Sequence, residues 1–97
     1  MASNAWTVYI LRCADDSLYA GITNNVRRRV EEHNTSARGA SYTRGRRPVV
    51  LVFTHEVEDR SAACRLEAWI KAQPRKTKES IIIRETTVPT SLQGGQI

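Results

Sequence analysis

Two short runs rich in β-branched and aromatic residues, Trp6 to Cys13 and Leu18 to Thr23, stand close together near the start of the chain. Runs of that length and composition form strands, and the polar Ala14-Asp15-Asp16 between them reads as a hairpin turn. The turn length decides which side chains share a surface. An odd-length loop sends Tyr9 and Tyr19 out of the same face of the sheet, whereas a two-residue loop separates them. A three-residue loop often ends in a left-handed position usually held by Gly. Asp16 has to take that position here, and Asp tolerates it better than most residues. The odd loop is therefore expected. Two tyrosines on adjacent strands are ordinarily a packed cross-strand pair. Gly21, two residues after Tyr19, is harder to read as packing, because Gly inside a strand marks close approach of a ligand or another backbone.

Thr23-Asn24-Asn25 is a cluster of helix-capping residues, and the helix it starts is expected to run to about Asn34. Val26, Arg29, Val30 and His33 follow at i, i+3, i+4 and i+7, so they share one face. Arg27, Arg28, Glu31 and Glu32 are left for solvent. An unpaired guanidinium beside two valines is costly to bury. Arg29 thus pairs with a carboxylate, lines a wet cleft, or runs its stem past the valines to solvent.

Arg38 to Arg47, with Gly39 and Gly45, reads as a mobile basic loop. Val49 to Thr54 is an apolar run of strand length after a proline. Asp59 or Ser61 can cap a second helix, with Ala62, Ala63, Leu66, Trp69 and Ile70 at helical spacing. Glu67 lies about 100° from the centre of that stripe. From that flank it can reach the sheet edge, or simply pair with Lys71 at i+4. Pro74 suits the first turn of a third helix that carries Ile81, Ile82 and Ile83. The order β-β-α-β-α-α describes an α/β chain of the α+β kind, a small three-stranded, mainly antiparallel sheet flanked by helices. Residues 1–85 are expected to form one domain and 86–97 a flexible tail.

With 97 residues, 40% hydrophobic and 26% charged, the chain has room for one modest core. No apolar window approaches a membrane span, and no basic stretch followed by an apolar run opens the chain. Cys13 and Cys64 cannot make a disulfide framework, so a reducing cytoplasm is the expected setting. The formal charge is +5. No acid interrupts His33 to His55, the stretch that contains Arg38, Arg44, Arg46 and Arg47, and a second acid-free run holds Lys71, Arg75, Lys76 and Lys78. Clustered cations without interleaved acids are the footprint of a polyphosphate partner, with a solvated basic face as the plain alternative.

These residues assemble into a familiar pattern. Thr7-Val8-Tyr9, followed ten residues after its Tyr by Tyr19-Ala20-Gly21, resembles the paired motifs of the GIY-YIG nuclease family. Thr23-Asn24-Asn25-Val26, then Arg29 ten residues after the second Tyr, then His33 one helical turn on, resembles its third element. Arg65 to Lys71 looks like the helix that carries the family's metal-binding Glu, here Glu67. The likeness spans roughly residues 6 to 83 and is greatest to small stand-alone bacterial members. The chain departs from the pattern in Thr-Val for Gly-Ile, in Asp16 where related members often have Gly, and in having no Asn beyond Asn34. The last leaves one expected neighbour of the active site unfilled.

The resemblance implies an endonuclease that hydrolyses DNA phosphodiester bonds, on branched or single-stranded DNA in repair or recombination, with one Mg²⁺ or Mn²⁺ ion. Glu67 would be the metal ligand, and Tyr9, Tyr19, Arg29, His33 and Glu67 the catalytic set, with Gly21 part of the structural motif. Tyr9 is the candidate base, its phenol lowered in pKa by the metal and Arg29, although His33 could also take the proton. Arg29 would hold the scissile phosphate, and the two basic runs would track the DNA backbone. A non-catalytic nucleic-acid-binding module and a protein-interaction domain are the rivals. A pure binder has no need of an isolated Glu in a basic cleft, and retention on DNA that falls steeply with salt would exclude the interaction domain.

Overall fold

The computed structural model describes residues 5–36 and 38–89. The first two runs form strands β1 (Trp6–Arg12) and β2 (Leu18–Thr23), paired antiparallel with Tyr9 opposite Gly21 and Leu11 opposite Tyr19. The register is that of an odd loop. Cys13 N–H reaches the Ser17 carbonyl at 2.8 Å, Asp16 N–H reaches that of Cys13 at 2.9 Å, and Asp16 adopts a φ of 69°. The Asp15 carboxylate accepts from the Ser17 amide and hydroxyl, so the turn closes without a glycine.

Helix α1 (Val26–Thr35) is capped by Asn25, whose side chain accepts from Arg28 N–H. A short helix α2 (Ser41–Arg44) precedes β3 (Val50–Val57). Asp59 then caps α3 (Arg60–Lys71), its carboxylate accepting from Ala62 N–H at 2.8 Å. Helix α4 (Arg75–Ile82) follows Pro74, which stands at the N-cap, one residue before the first turn. β1 lies between β2 and β3 in an all-antiparallel sheet. Between Ile10 and Leu11 the partner on β3 shifts from Phe53 to Leu51, a bulge that lets Val52 slip out of register.

Alternation along the strands gives the sheet two unlike faces. Val8, Ile10, Ala20 and Phe53 pack against Ala63, Leu66 and Ile70 of α3 and Ile81 of α4. Tyr9, Leu11, Cys13 and Val49 form a second cluster with Tyr19 and with Val30 of α1. The hairpin is also tied to α4. Arg12 donates to both Glu79 oxygens at 2.7 and 3.0 Å, and Arg75 bridges Glu79 and Asp16. The Arg12 and Arg75 guanidiniums hold the Glu79 carboxyl down to about 2.

The structure departs from the sequence reading in three places. β3 runs on to Val57, because Thr7 and Trp6 of β1 remain to be paired and take Glu56 and Val57. The basic stretch is not a free loop. The Ala40 carbonyl gathers Thr43 N–H, Arg44 N–H and the Thr43 hydroxyl into α2, and Thr43 is fully buried. A Cβ at Gly39 would sit 2.8 Å from the Glu32 carbonyl, so that segment lies directly on α1. Finally, Val88 is buried in the first cluster, so the stretch taken as tail from residue 86 opens with a core residue. Residues 90–97 of it lie outside the described residues. None of the described helices is long and apolar enough to cross a membrane.

Candidate active site

β1 delivers Tyr9, 1% exposed, to the face that α1 covers. Its phenol lies across Gly21: a Cβ there would come 2.6 Å from Tyr9 Cζ. The glycine thus makes room for the tyrosine of the neighbouring strand, not for a ligand. Helix α1 presents the expected face, with Val26, Arg29 and Val30 partly buried and His33 fully buried.

His33 Nε2 is 2.9 Å from the Tyr9 hydroxyl, and its Nδ1 is 2.8 Å from Thr43 Oγ1. The Thr43 hydroxyl gives its one hydrogen to the Ala40 carbonyl. It must therefore accept from His33, which puts the ring proton on Nδ1 and leaves a lone pair on Nε2 for the Tyr9 O–H. Burial, reinforced by the Arg29 charge, pushes the His33 pKa down to about 4, so the ring is neutral at physiological pH. Burial also pushes the Tyr9 phenol up to about 12, against a smaller opposing pull from Arg29. The expected lowering of Tyr9 is therefore reversed in the protein alone. Desolvation outweighs one neighbouring cation.

The Arg29 guanidinium lies close enough to draw the Tyr9 phenol down against the effect of burial. The same guanidinium donates to Glu32 at 3.0 Å and to the Arg38 carbonyl at 2.8 Å. Of the three options for Arg29, pairing with a carboxylate is realised. Glu32, assigned to the solvent side, is the partner. Tyr19 completes the aromatic wall, edge-on to His33 with ring centroids 5.3 Å apart and stacked on Tyr42 of α2 at 5.7 Å. Glu67 approaches from α3. Its negative charge is felt at the Tyr9 phenol, and it pairs with Lys71 at 3.2 Å, the plainer reading of its flank position.

His33 hydrogen-bonds the Tyr9 phenol, Tyr19 lies edge-on to His33, and Arg29 and Glu67 lie within electrostatic reach. The GIY-YIG catalytic domain matches residues 5–80. The chain belongs to the GIY-YIG family. Among relatives, a UPF0213 protein of Desulfotalea psychrophila is 51% identical over 78 residues, 80% of this chain and 71% of that protein. The solution NMR structure of a UPF0213 protein from Bacillus halodurans shares 41% identity at a TM-score of 0.54, covering 84% of this chain and 85% of that one. That of a protein from E. faecalis shares 38% at a TM-score of 0.58, covering 88% and 91%. The GIY-YIG family is one of nucleases.

The GIY-YIG site can be tested for a metal by its donors. Among the described residues no three His, Cys, Asp or Glu side chains cluster as a ligand cage. Glu67 offers one hard carboxylate in a cationic surrounding. That fits a divalent ion which keeps several waters and shares a substrate phosphate, as Mg²⁺ does, and does not fit one caged by protein.

The basic residues divide by their neighbours. Arg47 donates to the carbonyls of His33, Glu32 and Ser36, finishing the C-terminus of α1. Arg75 is spent on Glu79 and Asp16. Arg46 pairs with Asp15 and lies 4.0 Å over the Tyr42 ring. Arg38, Arg44 and Lys76 are exposed. Glu32, Tyr42 and Thr43 were missed from sequence. Glu32 stands three residues after Arg29, a spacing that could have flagged it, whereas nothing local marks Thr43.

Proposed function

We propose that this GIY-YIG chain is an endonuclease that hydrolyses DNA phosphodiester bonds with the help of one divalent cation, Mg²⁺ or Mn²⁺. The observation that carries the reading is the neutral His33 whose Nε2 lone pair faces the Tyr9 hydroxyl at 2.9 Å. A phenol held at a pKa of about 12 is a poor base alone. Coupled to His33 it becomes a relay. Tyr9 accepts a proton from the attacking water as it passes its own to His33 Nε2, so the charge ends on the imidazole. The hydroxyl then bonds to phosphorus, the bond to the leaving sugar oxygen breaks, and that oxygen is protonated from solvent. His33 returns its proton by the same path.

The arriving phosphate brings negative charge beside His33 and raises its basicity from the low value of the free protein. Arg29 exchanges its bonds to Glu32 and the Arg38 carbonyl for the phosphate oxygens, offsetting charge in the transition state. Tyr19 borders the same phosphate. Glu67 would hold the cation, whose chemistry is to polarise the phosphoryl group and stabilise the leaving oxygen. Arg38, Arg44, Arg46, Lys71, Lys76 and Lys78 contact the backbone without reading bases.

The Glu67–Lys71 pair is what a surface pairing alone would produce, and it favours a second reading, a nucleic-acid-binding module without turnover. Glu67→Gln separates the two. Supercoiled plasmid should be nicked by the wild type in Mg²⁺ and not in EDTA. The variant should nick about 100-fold more slowly or worse, with equal or tighter retention on DNA at low salt. Nicking by Glu67→Gln at the wild-type rate would reduce Glu67 to a partner of Lys71 and remove the mechanism.

A further inference from the structure

A cleft of about 240 Å³ shares Tyr19 with the candidate active site. Its floor is hydrocarbon, with Leu18 half-buried over Ile10, Ala20 and Ile70, which are themselves buried. Tyr42, stacked on Tyr19, stands at one side. Lys71 of α3 and Lys78 of α4 bring two ammonium groups to the same opening. Lys71 is held by Glu67, but Lys78 has no ion pair among the described residues. The contrast with its surroundings is informative. Arg12 and Arg75 nearby are neutralised by Glu79 and Asp16, whereas Lys78, which borders the cleft, is not.

An open apolar patch walled by tyrosines matches the flat face of a base, and an unpaired ammonium at its edge matches a phosphate. Pockets for drug-sized ligands start at about 300 Å³, so this one suits a single base with its sugar. We propose that the cleft is a subsite for one unstacked nucleotide of the substrate. Its base lies on the hydrocarbon floor against Tyr19 and Tyr42, and its phosphate lies between Lys71 and Lys78. Because Tyr19 lines both places and Lys71 carries the pair to Glu67, this nucleotide neighbours the scissile phosphate. The inference rests on the nuclease reading for its substrate, but its test needs no cleavage.

The probe is thymidine 3′,5′-bisphosphate at millimolar concentration without metal, followed by amide shifts of the intact chain. Saturable shifts are expected at Tyr19, Ala20, Ile70, Lys71 and Lys78, and the abasic deoxyribose bisphosphate should bind at least about fivefold more weakly, the scale of one lost base stack. Lys78→Ser, a surface change whose spectrum reports its own fold, should weaken the thymidine compound about fivefold. If inorganic phosphate or the abasic compound binds as tightly and shifts the same amides, no base enters the cleft and the proposal falls. Shifts confined to residues 38–47, or none, overturn it equally. A protein that nicks plasmid yet fails here loses the subsite alone, and one that binds here without nicking loses the nuclease mechanism alone.

Discussion

The two faces of one three-stranded sheet are buried to a similar depth by opposite means. Below, Val8, Ile10, Leu66, Ile70 and Ile81 are at most 2% exposed and purely hydrocarbon. Above, Tyr9, His33 and Thr43 are as deeply buried, yet each brings a polar group that must find a partner. Each does: no buried side-chain polar atom among the described residues lacks a hydrogen bond. Hydrocarbon burial stabilises in proportion to the area removed from water. A satisfied polar chain such as Tyr9–His33–Thr43 roughly breaks even against the water it gives up. The lower face therefore holds the fold, and the upper face is held by it.

The largest effect should come from the lower face. Ile70→Ala leaves a void between α3 and the sheet and should cost about 3 kcal/mol in urea unfolding. Because the void lies beneath the sheet, the His33 ring should remain neutral. A loss below 1 kcal/mol would remove the distinction between the faces.

The next effect belongs to the upper face and depends on pH. The His33 pKa is lower folded than unfolded, so the unfolded chain binds the extra proton. Stability should hold above the ordinary value of 6.5 and fall as pH drops from there toward about 4. At ~1.4 kcal/mol per pH unit the loss is at most about 3 kcal/mol. Urea midpoints between pH 7 and 4 measure it, and a flat profile would mean that His33 is not buried as a neutral ring.

The smallest effect sharpens the contrast. Thr43→Val removes the acceptor of His33 Nδ1–H and should cost about 1 kcal/mol. It should also free His33 to move its proton to Nε2, visible in the imidazole nitrogen shifts. An unchanged tautomer would show that Thr43 does not set it.

This difference between the faces also explains what the sequence disclosed. Period-two alternation, the odd turn and the caps Asn25 and Asp59 are local, so the hairpin, its left-handed Asp16 and the starts of α1 and α3 could be read directly. The shared face of Val26, Arg29, Val30 and His33 was legible for the same reason. The partners that make that face work lie far along the chain. Thr43 meets His33 across ten residues and Tyr9 meets it across 24. Arg47 looked like a phosphate ligand because its charge is visible in sequence, whereas the α1 carbonyls it serves are not. Tyr9 looked acidic for a similar reason: the cation beside it is evident, and the burial that outweighs it appears only in the fold.

Tyr9→Phe tests the central claim, that the upper face serves the reaction and not the fold. It removes one oxygen and keeps the ring that packs over Gly21. His33 Nε2 loses its donor, so unfolding in urea should shift by about 1 kcal/mol or less. Plasmid nicking in Mg²⁺ should fall by at least about 100-fold, the usual scale for removing a proton-transfer group. That combination is the predicted result; nicking at the wild-type rate by a folded Tyr9→Phe protein would contradict it.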